Sequence, residues 1–251
     1  MLTVCMLLAL KGLHELYRAF SKRFMPIHLV GYGATVVYYF AIYAFGAGYW
    51  LLIVLTFFII TVQTCLVVFY GKLPLQDVLV TAYGFLYVPF LLSFIVLVRQ
   101  HELGAVYVWL IFISAFGCDT FAYLTGVTLG KRKLVGSPSP SKSLEGLVGG
   151  VVGAAVLGLG YGLLMQRFGN PDYTHNIVIN AVVIAVVGGG FGIVGDMAAS
   201  AVKRHTGIKD FGKLFPGHGG LLDRADSLIV IAPMVYLVLN LLDWLPVWVW
   251  A

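Results

Sequence analysis

Apolar residues run through this chain in continuous stretches of about twenty, set apart by short polar or glycine-rich intervals. Eight stretches are read, at residues 1–17, 28–47, 49–70, 76–98, 104–128, 147–166, 176–199 and 227–250. A helix of about 20 residues crosses a hydrocarbon core of about 30 Å. Runs that are apolar throughout favour helices over a barrel, whose strands alternate apolar and polar positions. The predicted fold class is an all-α polytopic membrane protein, with about eight transmembrane helices and two long polar cytoplasmic loops. The first stretch is the weakest, because Lys11, His14 and Glu15 interrupt it.

Composition agrees with a lipid solvent. Of 251 residues, 60% are apolar and 11% are charged, against about a quarter charged in a soluble domain. No soluble domain, linker or internal repeat is evident, and residues 1–251 read as one membrane-embedded domain. Cys5, Cys65 and Cys118 are scattered through apolar stretches and form no CxxC pair. They read as small packing residues, and not as a disulfide framework or zinc site.

The net charge of +5 points to anionic lipid headgroups beside basic loops more than to nucleic acid. The intervals after stretches one, three, five and seven hold Arg18, Lys22 and Arg23; Lys72; Lys131, Arg132, Lys133 and Lys142; and Lys203, Arg204, Lys209, Lys213 and Arg224. The remaining intervals hold only Arg99 and Arg167, and Lys11 lies within the first stretch. By the positive-inside rule, the two long loops, 129–146 and 200–226, are expected in the cytoplasm of a bacterial-type inner membrane. Both termini are then expected outside. This arrangement suggests either an earlier helix ahead of residue 1 or a first stretch that does not span.

Carboxylates give the first candidate chemistry. Asp119 sits inside the fifth stretch, and Asp196 follows a run of small residues from Gly188 to Gly195. A charge at mid-helix costs about 2.5–3.5 kcal/mol on insertion scales, so it faces a partner or a wet cavity. The plain alternative for either is an interhelical hydrogen bond or ion pair, and for the glycines it is close helix packing. In Asp223-Arg224-Ala225-Asp226, helical spacing places the two acids on one face. With Asp196 they could hold Mg²⁺, which takes one or two carboxylates together with substrate phosphates. Helix capping explains one such acid, though not readily all three.

Lys203, Arg204, Lys209 and Lys213 share a loop with Pro216-Gly217-His218-Gly219-Gly220. Glycines let backbone N–H groups approach a phosphate, and lysine adds charge to the contact. A loop touching lipid headgroups explains the lysines alone, but not bases, glycines and acids interleaved over about 30 positions. The other loop carries Ser139, Lys142, Ser143 and Glu145, with phosphate binding or helix capping as the open readings. Trp244, Trp248 and Trp250 read as an interfacial aromatic belt.

The segment from Ser200 through Lys203, Arg204, Lys209 and Asp210 to Phe215-Pro216-Gly217-His218-Gly219-Gly220-Leu221-Leu222-Asp223-Arg224-Ala225-Asp226 closely resembles the signature of the phosphatidate cytidylyltransferase (CDP-diglyceride synthetase) family. Ala225 departs from it, where a larger aliphatic is usual. Asp119-Thr120-Phe121-Ala122-Tyr123, with Gly126 and Gly130, is similar to a second block of the family. Ser139-Pro140-Ser141-Lys142-Ser143-Leu144-Glu145-Gly146 is similar to a third, with Ser143 for Thr and Leu144 for Trp. The likeness covers residues 115–251 well, while 1–114 match mainly in hydrophobicity. Members generally begin with one more membrane helix, so a late-starting chain is expected.

The resemblance implies transfer of CMP from CTP to phosphatidic acid, giving CDP-diacylglycerol and pyrophosphate. It implies that Asp196, Asp223 and Asp226 hold one or two cations, Mg²⁺ among them, and that Lys203, Arg204 and Lys209 clamp phosphates. Asp210 and His218 would shape the loop or the nucleotide site. Ser139 and Lys142 would contact substrate phosphate, and Asp119 and Glu145 would orient the basic groups or the metal. Ser143, Ser200, Gly219, Gly220 and Arg224 belong to the same expected substrate site. The resemblance is compatible with a homodimer in the bilayer and gives no role to nucleic acid. The alternatives are a cytidylyltransferase for an ether-linked or prenyl lipid phosphate, a secondary transporter, or an inactive relative. Against transport, the polar residues gather in two loops and not at the midplane of paired repeats.

Overall fold

The computed structural model describes residues 1–169, 177–214, 217 and 219–244. Among these the secondary structure is helical, with an isolated antiparallel bridge between Lys133 and Ser143. The helices are α1 (Leu2–Phe20), α2 (His28–Phe45), α3 (Tyr49–Val68), α4 (Leu75–Phe85), α5 (Leu91–Gln100), α6 (Gly104–Thr128), α7 (Leu144–Phe168), α8 (Ile177–Thr206) and α9 (Leu222–Trp244). A π-helical turn, Leu86–Phe90, joins α4 to α5 and contains Pro89. Proline has no N–H to give to the preceding turn, so the widened turn lets one apolar run continue past it. Seven spans among the described residues are long and apolar enough to cross a membrane, with Leu75–Gln100 taken as one. Helix α1 is not among them, in keeping with Lys11, His14, Glu15 and Arg18 along its length. The chain is a multi-pass membrane protein.

The helix ends correct one expectation. The second long loop was read from residue 200, yet α8 continues to Thr206 and carries Ser200, Lys203 and Arg204 on helix. Residues 200–206 contain no glycine or proline, so nothing breaks the helix between Ser200 and Gly207. That glycine takes φ +66, and the N–H groups of Gly207 and Ile208 donate to the carbonyls of Arg204 and Lys203 at 3.2 and 3.0 Å. This is the paired closure that ends a helix on a left-handed glycine. The loop proper is therefore 207–221, and Asp223 and Asp226 lie in the first turns of α9. Of the three tryptophans read as a belt, Trp244 is 82% exposed; Trp248 and Trp250 lie outside the described residues.

The chain divides into two compact units. One comprises Met1–Gln100 and Val202–Ala225, the other His101–Ala201 and Asp226–Ala251. In the first, Leu13, Leu16, Tyr17, Tyr38, Ile42 and Phe85 are buried together. The Tyr17 hydroxyl donates to the Thr81 carbonyl at 2.8 Å. Asp77 accepts from Met25 N–H and Thr81 Oγ1 from Ile27 N–H, at 2.9 and 2.8 Å, so α4 satisfies the amides that lead into α2.

In the second unit, small residues let helices meet at backbone distance. A Cβ on Gly150 would stand 2.8 Å from the Cys118 carbonyl of α6, and one on Gly158 would stand 2.5 Å from the Ala185 side chain of α8. A Cβ on Gly195 would stand 2.6 Å from the Asp226 carbonyl of α9. Without a hydrophobic drive between helices in lipid, this close contact is the main source of packing energy.

Candidate active site

In the first unit the site is built around Asp223. Its Oδ1 accepts from Lys203 Nζ at 3.0 Å, with side-chain exposures of 7% and 16%. Its Oδ2 accepts from the backbone N–H groups of Phe211 and Gly220, at 2.8 and 2.9 Å. One carboxylate thus ties the end of α8, both limbs of loop 207–221 and the start of α9. The loop needs glycine to make this turn. Gly219 sits at φ +86, and a Cβ there would approach Asp223 Oδ2 to 2.9 Å. Lys203 Nζ also stands 5.6 Å from the centroid of the buried Phe211 ring, a cation–π contact that holds the ammonium in place. Arg204, Lys209, Asp210 and Arg224 are exposed around this node, and Gly220 is buried within it.

In the second unit the first long loop is a closed hairpin. Leu134 N–H donates to the Lys142 carbonyl and Leu144 N–H to the Arg132 carbonyl, at 3.0 and 2.9 Å. Glu145 Oε2 accepts from the N–H groups of Lys131 and Arg132, both at 3.1 Å. Ser143 is buried as the N-cap of α7 and accepts from Gly146 N–H at 3.2 Å. The half-buried Ser139 accepts Lys142 N–H at its carbonyl, 3.2 Å away. So held, Lys142 forms an ion pair with Asp196 of α8. Asp119 of α6 lies within electrostatic reach of both. Ser200 is half-buried, one turn beyond Asp196 on α8. Asp226 is 9% exposed, and its Oδ1 accepts the Ser227 N–H at 2.9 Å. Because α9 crosses α8 at Gly195, the Asp226 backbone lies against the residue that precedes Asp196.

Each cluster therefore holds a lysine on a carboxylate, with two backbone donors beside it in the first unit, and a lysine so paired can exchange its carboxylate for a phosphate. The acids fit Mg²⁺ in kind. Carboxylate oxygens at Asp196, Asp226 and Asp119 suit a hard cation that takes one or two protein ligands and completes its shell with phosphate. Among the described residues no three His, Cys, Asp or Glu side chains converge into a ready-made cage. Asp223 has both oxygens engaged, so a cation could take Oδ1 only by displacing Lys203. His218 lies outside the described residues.

Two residues in the first unit were not singled out by sequence reasoning. Phe211 donates its amide to Asp223 and carries the Lys203 contact. Glu15, read only as a blemish in an apolar stretch, reaches Leu222 N–H at the start of α9. A carboxylate four residues after Lys11 in a short apolar run was the one visible signal for Glu15.

The fold defines a multi-pass helical membrane protein with two lysine–carboxylate clusters. The chain belongs to the cytidylyltransferase family, whose family model matches residues 1–242. It is similar to the phosphatidate cytidylyltransferase of Thermotoga maritima, 37% identical over 164 residues, which cover 63% of this chain and 57% of that relative. It is also similar to phosphatidate cytidylyltransferases of Bacillus subtilis, 37% identical over 148 residues (59% and 52%), and Haemophilus influenzae, 34% identical over 172 residues (66% and 57%). The chain thus spans about half the length of the curated relatives it matches.

Proposed function

We propose that this protein transfers CMP from CTP to phosphatidic acid, forming CDP-diacylglycerol and pyrophosphate. The observation that carries the proposal is the Asp223 node, which presents Lys203 at the mouth of a glycine-bearing loop in a chain of the cytidylyltransferase family. The names of the relatives supply the substrate pair. A phosphatidate oxygen attacks the α-phosphorus of CTP, and the bond from that phosphorus to the bridging oxygen of pyrophosphate breaks. The nucleophile is already an anion, so the protein's work is positioning and charge neutralisation.

Lys203, Arg204 and Lys209 hold phosphate in the first unit and Lys142 does so in the second. Each paired lysine exchanges its carboxylate for phosphate oxygens as substrate enters. Asp223 keeps Lys203 and the two loop amides in place until then. Asp196 and Asp226, both in the second unit, are the groups that would hold Mg²⁺. A bound Mg²⁺ supplies screening between the two anions and charge stabilisation for the departing pyrophosphate. Asp119 orients Lys142, and Glu145 keeps its hairpin closed. The basic loops face the cytoplasm of a bacterial-type inner membrane, supported by the thirteen-to-two division of lysines and arginines between the two sets of intervals that separate the apolar stretches. A homodimer is the proposed assembly, to be read from the mass of the detergent complex.

The test is purified protein in detergent micelles with phosphatidic acid, radiolabelled CTP and Mg²⁺, scored for labelled lipid and pyrophosphate. Labelled CDP-diacylglycerol that is lost with EDTA and in Asp223→Asn is the expected result. A well-folded preparation that yields no labelled lipid would refute the proposal, and product only from an ether-linked or prenyl phosphate would reassign the acceptor.

A further inference from the structure

Glu15 lies in α1 and is 2% exposed. Its Oε2 accepts from Leu222 N–H, the first residue of α9, at 2.9 Å across 207 positions of sequence. Its Oε1 has no hydrogen-bond partner among the described residues. Two glycines of the loop press on the same carboxylate. A Cβ on Gly212 would stand 2.5 Å from Oε1, and one on Gly220 would run into Oε2. The two limbs also touch one another here, since a Cβ on Gly220 would stand 2.6 Å from Gly212 N. The carboxylate is thus wedged at the point where both limbs of loop 207–221 converge on α9.

A carboxylate removed from water with one oxygen unengaged is an expensive side chain to keep, and packing alone does not require it. Its placement at the positive end of α9 offsets part of that cost. Leu222, which it holds, directly precedes Asp223, which holds Lys203, Phe211 N–H and Gly220 N–H.

We propose that Glu15 is a positioning residue for the reaction. It sets the start of α9 against loop 207–221 and thereby places the Asp223 carboxylate and the Lys203 ammonium. This rests on the CTP-dependent reading above. It also gives α1 a role: a helix too polar to be counted among the membrane spans delivers a carboxylate to the loop.

The experiment compares wild type, Glu15→Ala and Glu15→Gln, each as the full chain in micelles. It measures kcat and KM for CTP per folded molecule, and backbone hydrogen exchange across 208–222 and 146–166. In Glu15→Ala, kcat falls about tenfold or more, the scale expected when reacting groups are misplaced by a fraction of an ångström to an ångström. KM moves less, and exchange quickens at 208–222 while 146–166 stays protected. Glu15→Gln, which keeps an oxygen for Leu222 N–H, restores most of kcat. Wild-type kcat in Glu15→Ala overturns the proposal whatever happens to exchange, because faster exchange alone leaves only a structural pin. A wild type that makes no product defeats the reaction reading. Glu15's role in that reaction falls with it, whereas in a wild type that does turn over, unchanged protection at 208–222 in Glu15→Ala overturns the Glu15 claim and leaves the reaction reading standing.

Discussion

Asp223→Asn is the most informative single change, because it alters charge with almost no change of shape. Asp223 Oδ1 takes Lys203 Nζ at 3.0 Å, and Oδ2 takes two amides at 2.8 and 2.9 Å. An asparagine offers one acceptor oxygen and one NH₂ donor. If the oxygen serves the two amides, the NH₂ faces the Lys203 ammonium; if it serves the ammonium, the NH₂ faces two N–H donors. Either way a donor meets a donor in a place where the side chains are only 7% and 16% exposed. A hydrogen bond to a charged group contributes about 1.5–3 kcal/mol, and breaking a fully buried pair costs about 3–5 kcal/mol. Residual exposure places this site between, at about 2–4 kcal/mol of lost positioning for Lys203. Fully expressed in the transition state, even about 2.7 kcal/mol is a hundredfold loss of rate. The assay is product formation from radiolabelled CTP with kcat and KM resolved, alongside thermal unfolding in micelles. A cycle with Lys203→Met separates the pair from each residue's other duties, since the double variant no longer sets a donor against an ammonium. A kcat/KM for Asp223→Asn within error of wild type would refute both the positioning argument and any metal role for Asp223.

Three further expectations follow from the same geometry. Lys142→Met leaves Asp196 without its ion-pair partner and removes a phosphate contact, so KM for CTP or phosphatidic acid rises about tenfold or more, as for a lost charge-assisted bond of about 1.5–3 kcal/mol; steady-state kinetics with each substrate varied will show which. Glu145→Ala removes the acceptor of the Lys131 and Arg132 amides, so the hairpin should open and limited trypsin digestion should cut faster at residues 131–133 while cutting elsewhere is unchanged. Gly195→Ala drives a Cβ to 2.6 Å from the Asp226 carbonyl, and forcing α8 from α9 should destabilise the protein by about 1–3 kcal/mol, read as a lower unfolding midpoint in micelles.

The helices were legible because lipid imposes a rule that acts residue by residue. A backbone in hydrocarbon must satisfy its own hydrogen bonds, so each apolar run of about 20 residues declares a helix without reference to any other. That local rule locates α2, α3 and α6 to within two residues at either end. It falters where a boundary depends on polar residues. The end of α8 was placed at 199 because Lys203 and Arg204 resemble loop, whereas the glycine closure at Gly207 sets the true end. The start of α9 was placed at 227 for the same reason, although Asp223 and Asp226 sit on helix.

Within the site, the sequence by itself determined which residue types are present and in what local order: lysines, glycines and acids crowded into two short segments, with the family resemblance they carry. It did not determine how they pair. That Lys203 belongs to Asp223 and Lys142 to Asp196 depends on where packed helices bring chain segments together. In the second unit that packing rests on glycine contacts such as Gly150 on Cys118 and Gly195 on Asp226. Glu15 shows the limit most sharply. Nothing within a window of local sequence connects it to Leu222, 207 residues away; only a tertiary contact turns an interruption in an apolar stretch into a carboxylate at the head of α9. Hydrophobicity is additive along the chain and can be read from it, whereas a hydrogen bond requires two groups in one place, and that place exists only once the chain has folded.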